Sequence, residues 1–138
     1  MSPFRILPRV NPDTQFFWTS GATGQLRFLR CGDCQYYIHP PTPICPRCLS
    51  RNVAPEAVSG RASVATYTVN YQPWIPGYDP PYVIAIVEIE EQPDVRLITN
   101  IVDCPPEDVH VGMPVEVRFE QHDDVWIPLF APRTEAAS

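Results

Sequence analysis

Cys31-Gly32-Asp33-Cys34 and Cys45-Pro46-Arg47-Cys48 are two short turns with the same spacing of cysteines, and ten residues separate them. Each turn can place two thiolates on one side, so that the four sulfurs together complete a tetrahedron around a metal ion. The short gap suits a compact ribbon in which a single hairpin lies between the turns. The sequence therefore predicts a structural Zn(II) site with Cys31, Cys34, Cys45 and Cys48 as ligands. Two disulfides and an iron site of the rubredoxin type are the alternatives.

Four protein thiolates would leave no open coordination position, so a metal held there stabilises the fold and activates neither water nor a carbonyl. His39, between the two turns, is expected to be a partly exposed hairpin residue and not a ligand. The fifth cysteine, Cys104, has acidic neighbours and no cysteine or histidine partner in a motif, so we do not expect it to be a nucleophile. No catalytic residue is predicted, and we expect the chain not to be an enzyme by itself.

The residues on either side of the cysteine turns favour β-structure after one short helix. Asn11 is a suitable helix N-cap, with Pro12 at the first helical position and Gly21 beyond the end. Polar and apolar residues then alternate over 25–30, which predicts a strand leading to the first turn. Five further strands are predicted from their content of Val, Ile, Thr and aromatic residues: 63–71, 82–90, 95–102, 114–120 and 125–130.

Composition supports a mainly β fold, because 18 prolines and 6 glycines in 138 residues favour extended connections over long helices. We predict an N-terminal short helix and rubredoxin-like zinc ribbon over 1–58 and a five-stranded OB-fold barrel over 59–132. Residues 133–138 are predicted to form a flexible tail. The sequence lacks the roughly 20 continuous apolar residues of a membrane span and the apolar core of a signal peptide, so we expect no membrane partner and a cytoplasmic location.

Charge is divided unevenly along the chain. Residues 1–59 contain six arginines and three acidic residues, a net charge of +3, whereas residues 60–138 contain four arginines and thirteen acidic residues, a net charge of −9. The first half is therefore the part suited to bind an anion. An OB-fold beside a zinc ribbon also occurs in nucleic-acid-binding proteins, which is the alternative function. The acidic second half argues against that alternative, because nucleic-acid grooves on OB-folds are basic.

The order of several motifs resembles a bacterial and archaeal family that couples a rubredoxin-like zinc ribbon to an OB-fold, domain of unknown function 35. The resemblance covers about Phe16 to Pro132. Its motifs in this chain are Phe16-Phe17-Trp18, Leu26-Arg27-Phe28-Leu29-Arg30 before the first cysteine turn, Pro40-Pro41-Thr42-Pro43-Ile44 before the second, Ser59-Gly60-Arg61-Ala62-Ser63-Val64, Pro81-Tyr82-Val83-Ile84-Ala85-Ile86-Val87-Glu88, Leu97-Ile98-Thr99-Asn100, Gly112-Met113-Pro114-Val115-Glu116-Val117 and Pro128-Leu129-Phe130.

This resemblance implies a function as well as a fold. Proteins of the family accompany thiolases, hydroxymethylglutaryl-CoA synthase-like enzymes and the thiolase-like aldolases that shorten CoA-activated steroid side chains. The chain is thus expected to be a non-catalytic, acyl-CoA-associated subunit in a hetero-oligomer with a thiolase-fold protein, sharing that partner's CoA thioester substrate. Only the four cysteines carry over from the family as site residues.

Two further sets of candidate residues follow from this expectation. The basic first half suggests that Arg27, Arg30, Arg47 and Arg51 border the phosphates of CoA. The aromatic residues of the predicted helix and of the proline-rich loop before residue 82 are candidates for the partner interface, since interfaces concentrate binding energy in aromatic side chains. They are Phe16, Phe17, Trp18, Trp74 and Tyr78.

Overall fold

The structure is a computed structural model and describes residues 7–73 and 79–133. One short α-helix, α1 (Gln15–Trp18), is followed by a 3₁₀ turn over Ser20–Thr23. Three strands form the ribbon: β1 (Arg27–Cys31), β2 (Tyr37–Ile38) and β3 (Val53–Ala57). Five strands form the barrel: β4 (Arg61–Asn70), β5 (Tyr82–Ile89), β6 (Gln92–Ile101), β7 (Pro114–His122) and β8 (Val125–Pro132). A second 3₁₀ turn, Pro106–Asp108, lies between β6 and β7.

The five barrel strands close in the order β4-β5-β6-β8-β7. Neighbours are antiparallel except β6 and β8, which run parallel where Ile101 lies opposite Phe130. Strand β4 pairs with β7 over its first three residues and with β5 along most of its length, with a bulge between Val64 and Thr66. Such a bulge bends a strand, which lets one strand serve both neighbours and close the barrel. The prediction of a five-stranded OB-fold is confirmed.

The ribbon is a small sheet with β1 between β2 and β3. Strand β3 was not predicted from sequence, because Val53-Ala54-Pro55-Glu56-Ala57 contains a proline and has little β-branched content. The position of β3 explains why a proline is tolerated there. Among the described residues β3 pairs with β1 alone, so it is an edge strand, where Pro55 can lie without the loss of a hydrogen bond to a second neighbour.

The ribbon and the barrel share one hydrophobic core. Phe17 of α1, Phe28 of β1 and Tyr37 of β2 are almost fully buried and belong to the same cluster as the inward side chains of the barrel. A smaller cluster of Cys31, Ile38 and Cys45 fills the other side of the ribbon. The two modules are therefore packed together, and the ribbon covers part of the barrel surface.

The helical segment differs from its prediction in length. The side-chain oxygen of Asn11 accepts the amide hydrogens of Asp13 and Thr14 at 3.0 Å each, as expected of a capping residue, but the α-helix proper begins only at Gln15. Gly21 lies beyond the end of α1, as predicted, and falls inside the 3₁₀ turn. Gly24, with a positive φ of 73°, ends that turn.

Candidate metal centre and partner-facing surfaces

The four cysteines of the two turns converge at one end of the ribbon. All four Sγ atoms lie within 4.8 Å of one another, with Cys31 and Cys45 buried and Cys34 and Cys48 exposed. The closest approaches join the two turns: Cys31 to Cys48 at 3.5 Å and Cys34 to Cys45 at 3.6 Å. All four are free thiols, so the pairing into two disulfides is not found.

This arrangement fits a tetrahedral metal ion. With metal–sulfur bonds of about 2.3 Å, the sulfurs of a zinc tetrathiolate are about 3.8 Å apart, close to the two separations seen here. A disulfide would require about 2.05 Å. The donor set is closed, because four thiolates fill four positions. The structure thus supports a four-cysteine metal site that lacks a position for substrate.

Backbone amides donate hydrogen bonds to two of the sulfurs and thereby stabilise negative charge on them. The amides of Asp33 and Cys34 both donate to Cys31 Sγ at 3.4 Å, and the amide of Arg47 donates to Cys45 Sγ at the same distance. The Cys34 amide is the main cause that lowers the pKa of the Cys31 thiol to about 6, against the opposing effect of burial. A thiol that ionises easily is suited to be a metal ligand, whereas the pKa values of the Cys34 and Cys48 thiols are raised, in part by the neighbouring sulfurs.

The Asp33 carboxylate ties the two turns together, a role that sequence reasoning did not assign. Its two oxygens accept hydrogen bonds from Ser50 Oγ at 2.5 Å and from Asn52 Nδ2 at 3.3 Å, residues that follow the second turn. The Ser50 bond is the main cause of the lowered pKa of Asp33. The polar residues Ser50 and Asn52 placed two and four positions after the last cysteine were the available signal.

His39 lies among aromatic rings and not at the metal site. Its ring centroid is 5.2 Å from that of Phe17 and 5.0 Å from that of Phe28. Burial lowers the pKa of His39 to about 4, and its Nδ1 atom is buried without a hydrogen-bond partner among the described residues. His39 is half-buried and is not one of the clustered ligands, as predicted, but the sequence did not indicate that its ring contacts the aromatic core residues Phe17 and Phe28.

The four arginines predicted to face CoA are distributed over several places. Arg27 and Arg30 lie on opposite faces of β1, because side chains alternate along a strand. Arg30 Nη1 lies 2.5 Å from Glu56 Oε2, and the same guanidinium stacks on the ring of Tyr37. The guanidinium of Arg47 lies over the ring of Tyr36. Arg47 and Arg51 are exposed on the segment that carries the second cysteine turn.

The aromatic candidates of α1 have different environments. Phe17 is only 4% exposed and is a core residue, whereas Phe16 and Trp18 are partly buried and keep surface in contact with solvent. Phe16 lines a groove of about 490 Å³ with residues of the proline-rich segment Pro41–Pro43. Trp74 and Tyr78 lie outside the described residues.

The barrel surface carries an apolar feature that sequence reasoning missed. Ile84 and Ile86 of β5 and Ile98 of β6 alternate with buried residues and point outward. Alternation of Ile and Val on both faces is typical of a fully buried strand, so the sequence alone did not indicate that one face is open.

The histidines and Cys104 do not form a catalytic group within the described residues. His122 Nε2 is 2.7 Å from Glu120 Oε1, and His110 Nδ1 contacts the Asp108 carbonyl oxygen. Burial and the carboxylate of Asp108 raise the pKa of Cys104, which opposes thiolate formation, as expected from its neighbours. Across residues 7–73 and 79–133, none of the helices is long and apolar enough to span a bilayer.

Comparison with protein families matches both modules. Residues 18–54 match the rubredoxin-like zinc ribbon domain of ChsH2, and residues 55–120 match the C-terminal OB-fold domain of ChsH2. A chain in the solved structure of the Ltp2-ChsH2(DUF35) aldolase is 33% identical and superposes with a TM-score of 0.82, over 91% of this chain and 98% of that one.

Three curated relatives have informative names. A probable enoyl-CoA hydratase alpha subunit of Thermomonospora curvata is 34% identical over 93% of this chain and 40% of its own length. The 3-oxo-4,17-pregnadiene-20-carboxyl-CoA hydratase alpha subunit of Mycobacterium tuberculosis is 34% identical over 85% of this chain and 37% of its own length. A DUF35 domain-containing scaffold protein of Methanocaldococcus jannaschii is 41% identical over 67% of this chain and 66% of its own length. The chain thus spans about two fifths of the hydratase subunits and about two thirds of the scaffold protein.

Proposed function

This chain belongs to the ChsH2-type DUF35 family, in which a rubredoxin-like zinc ribbon is joined to an OB-fold, and from that premise we propose that it is a non-catalytic, acyl-CoA-associated subunit that binds and supports a thiolase-fold enzyme. The observation that carries the proposal is the likeness, along nearly the whole of both chains, to the DUF35 chain of a two-component aldolase. The closed four-cysteine site supports it, because such a site stabilises a fold without taking part in chemistry.

We propose Zn(II) as the metal held by the four cysteines. The zinc-ribbon family of residues 18–54 supports zinc over iron, whereas the spacing of the sulfurs fits a tetrahedral site of either metal. A zinc tetrathiolate supplies folding free energy to a segment too small to fold by itself. Thiols kept free for a metal also support a reducing compartment, and we propose the cytoplasm.

The substrate class proposed for the complex is an acyl-CoA thioester. Both hydratase relatives are named for CoA thioesters, and one of them for a steroid-derived acid, which supports a role in steroid side-chain degradation. We propose that Arg47 and Arg51, which are exposed beside the second cysteine turn, border the CoA phosphates at the partner's entrance, together with Arg27. Arg30 is the weakest candidate, because its guanidinium already bonds Glu56.

A second candidate is support of an enoyl-CoA hydratase. The names of the two hydratase alpha subunits favour it, since this chain aligns with about two fifths of each. The alternative of nucleic-acid binding has less support. The outward surface of β5 and β6 holds isoleucines where an OB-fold that binds oligonucleotides needs basic and stacking residues.

Co-expression of this chain with the thiolase-fold proteins of its own genome tests the proposal. We expect one pair to co-elute in size-exclusion chromatography, and the partner's turnover of a CoA thioester to fall when this chain is omitted. Separate elution at micromolar concentration, or full activity of the partner alone, would contradict a supporting role. Co-elution with an enoyl-CoA hydratase instead would favour the second candidate, and tight binding of single-stranded DNA would favour the nucleic-acid alternative.

A further inference from the structure

The outward side chains of Ile84, Ile86 and Ile98 form a continuous apolar surface, here called the isoleucine face. Ile86 lies directly opposite Ile98 across the β5–β6 pair, and Ile84 lies one row away, opposite Asn100. Ile98 is 73% exposed and Ile84 is 36% exposed. These exposed isoleucines are not part of the barrel core, because the alternate residues of the same strands fill it. Packing of the core therefore does not explain why they are apolar.

The isoleucine face extends beyond these three residues. Two shallow cavities of about 320 and 270 Å³ are both lined by Ile84 and Ile98, so they adjoin on this surface. The larger cavity continues over β8 at Ile127 to Trp18 of α1. The apolar surface therefore runs from the barrel to the helical segment. Contiguous apolar surface of this kind on a folded protein marks an interaction site.

The surroundings of the face restrict what can cover it. One end is bordered by the ion pair of Arg96 Nη2 with Glu88 Oε2 at 3.0 Å. At the other end, Asp79 precedes β5 in the chain and Asp103 follows β6. The half of the chain that holds the barrel has thirteen acidic residues against four arginines. Two copies placed face to face would bring these acidic surfaces together, and a polyanion would be repelled.

We propose that the isoleucine face is the surface on which this chain binds its partner protein, and that the partner offers an apolar patch with basic residues at its rim. An apolar centre surrounded by charged residues is the usual anatomy of a specific protein interface. This inference rests on the proposed function, and it specifies where the thiolase-fold partner binds and with which chemistry. Trp18, whose surface lines the same continuous groove, contributes at the edge of the interface.

The test replaces Ile98 in the full chain, which is co-expressed with the thiolase-fold protein that binds the wild type. Because Ile98 is 73% exposed, Ile98→Glu should keep the fold, the metal content and the melting temperature. We expect its dissociation constant for the partner to rise at least tenfold, since a charge would be buried in an apolar contact. Val111→Glu is the matched control: Val111 is 64% exposed but lies between the second 3₁₀ turn and β7, and its variant should bind within twofold of the wild type.

The binding and oligomeric state of the wild type and of Ile98→Glu distinguish failure of the isoleucine face from failure of the proposed function. If the wild type binds a partner and Ile98→Glu binds it equally well, the face is not the interface, while the proposed function stands. If the wild type binds none of the thiolase-fold proteins, the proposed function fails, and this inference fails with it. If the wild type alone is a dimer that Ile98→Glu converts to a monomer, a second copy covers the face, and the proposed partner chemistry is wrong.

Discussion

The side-chain amide of Gln92 forms two hydrogen bonds with the backbone of Tyr37. Its Oε1 accepts the Tyr37 amide hydrogen and its Nε2 donates to the Tyr37 carbonyl oxygen, both at 2.9 Å. Gln92 begins β6 of the barrel, whereas Tyr37 belongs to β2 at the edge of the ribbon. The glutamine amide therefore satisfies the backbone N–H and C=O of Tyr37, as a residue of a paired strand would. Two residues further along β6, Asp94 accepts the hydroxyl of Tyr36 at 2.9 Å. The ribbon is thus joined to the barrel by directional bonds as well as by a shared core.

Gln92→Glu should weaken this junction with little change in side-chain shape. A carboxylate cannot donate to the Tyr37 carbonyl and places negative charge beside it, so we expect a loss of about 2 kcal/mol in the free energy of unfolding. Urea denaturation of the metal-loaded protein measures the loss. Gln72→Glu, at an exposed position, is the control and should change stability by less than about 0.5 kcal/mol. Equal stability of the two variants would show that the amide pair contributes nothing.

Cys31→Ser should abolish stoichiometric zinc binding. Cys31 is fully buried and its sulfur accepts two amide hydrogen bonds, so its replacement removes a ligand and leaves the ribbon without its metal. Because Phe28 and Tyr37 belong to the core shared with the barrel, we expect the barrel to keep its strands but to melt at a lower temperature. Metal analysis and circular dichroism measure both effects.

Cys104→Ser is the control for that experiment. Cys104 is remote in sequence from the two cysteine turns and is not among the four sulfurs that converge, so its variant should retain one zinc per chain. Metal-free wild-type protein with two disulfides would contradict the assignment, as would a ferric tetrathiolate spectrum in place of colourless zinc.

His39 should make the protein less stable as the pH falls below about 6.5. In the unfolded chain an imidazole gains its proton near that pH, whereas burial among Phe17 and Phe28 lowers the pKa of His39 in the folded protein to about 4. The unfolded state therefore binds the proton first, and the folded state is destabilised between pH 6.5 and pH 4. Between pH 7.5 and 5.5 this amounts to about 1 kcal/mol.

The variant His39→Phe isolates this effect. It keeps a ring among its aromatic neighbours but has no titrating nitrogen, so its stability should depend less on pH than that of the wild type over the same interval. Chemical denaturation at several pH values gives the free energy of unfolding of both proteins. In the difference between the two, the contributions of the remaining histidines and of the metal ligands cancel. Parallel curves for the two proteins would show that His39 titrates normally.

Sequence alone predicted the features that depend on local spacing. The cluster formed by Cys31, Cys34, Cys45 and Cys48 followed from their spacing, and the five barrel strands followed from runs of β-branched residues. Features that depend on distant contacts were missed. The edge strand around Pro55 exists because β1 pairs with it, and the Gln92 amide pair joins residues 55 positions apart.

Burial was the property that the sequence predicted least well. The aromatic run of α1 does not distinguish the buried Phe17 from the partly exposed Phe16 and Trp18, because a single helical turn points these side chains in different directions. Likewise, Ile98 and Leu97 are equally apolar in sequence, and only the closed barrel decides which of them faces solvent.

Arg47→Ala and Arg51→Ala should raise the KM of the assembled enzyme for its CoA thioester while leaving kcat nearly unchanged. Both side chains are exposed in the basic half of the chain, and screened contacts of this kind are worth up to about 1 kcal/mol, a change of up to about fivefold in KM. Arg118→Ala on β7 of the acidic half is the control and should leave KM unchanged. An unaltered KM in all three variants would show that the charge asymmetry has no part in substrate binding.

Gly21→Ala should destabilise the protein through a steric clash. A Cβ atom added to Gly21 would lie 2.5 Å from Trp126 Cβ, closer than two carbon atoms can approach. Trp126 lies on β8, so its β-carbon cannot move without shifting the barrel backbone, and the 3₁₀ turn must withdraw instead. We expect a loss of about 2 kcal/mol or more in the free energy of unfolding.

Gly24→Ala separates this clash from a backbone effect. A Cβ atom added to Gly24 would meet open space, but the residue has a φ of 73°, so its variant should lose only about 1 kcal/mol in the free energy of unfolding. Thermal denaturation of both variants tests the order. If Gly24→Ala is the more destabilised, the backbone conformation of the turn matters more for stability than its contact with Trp126.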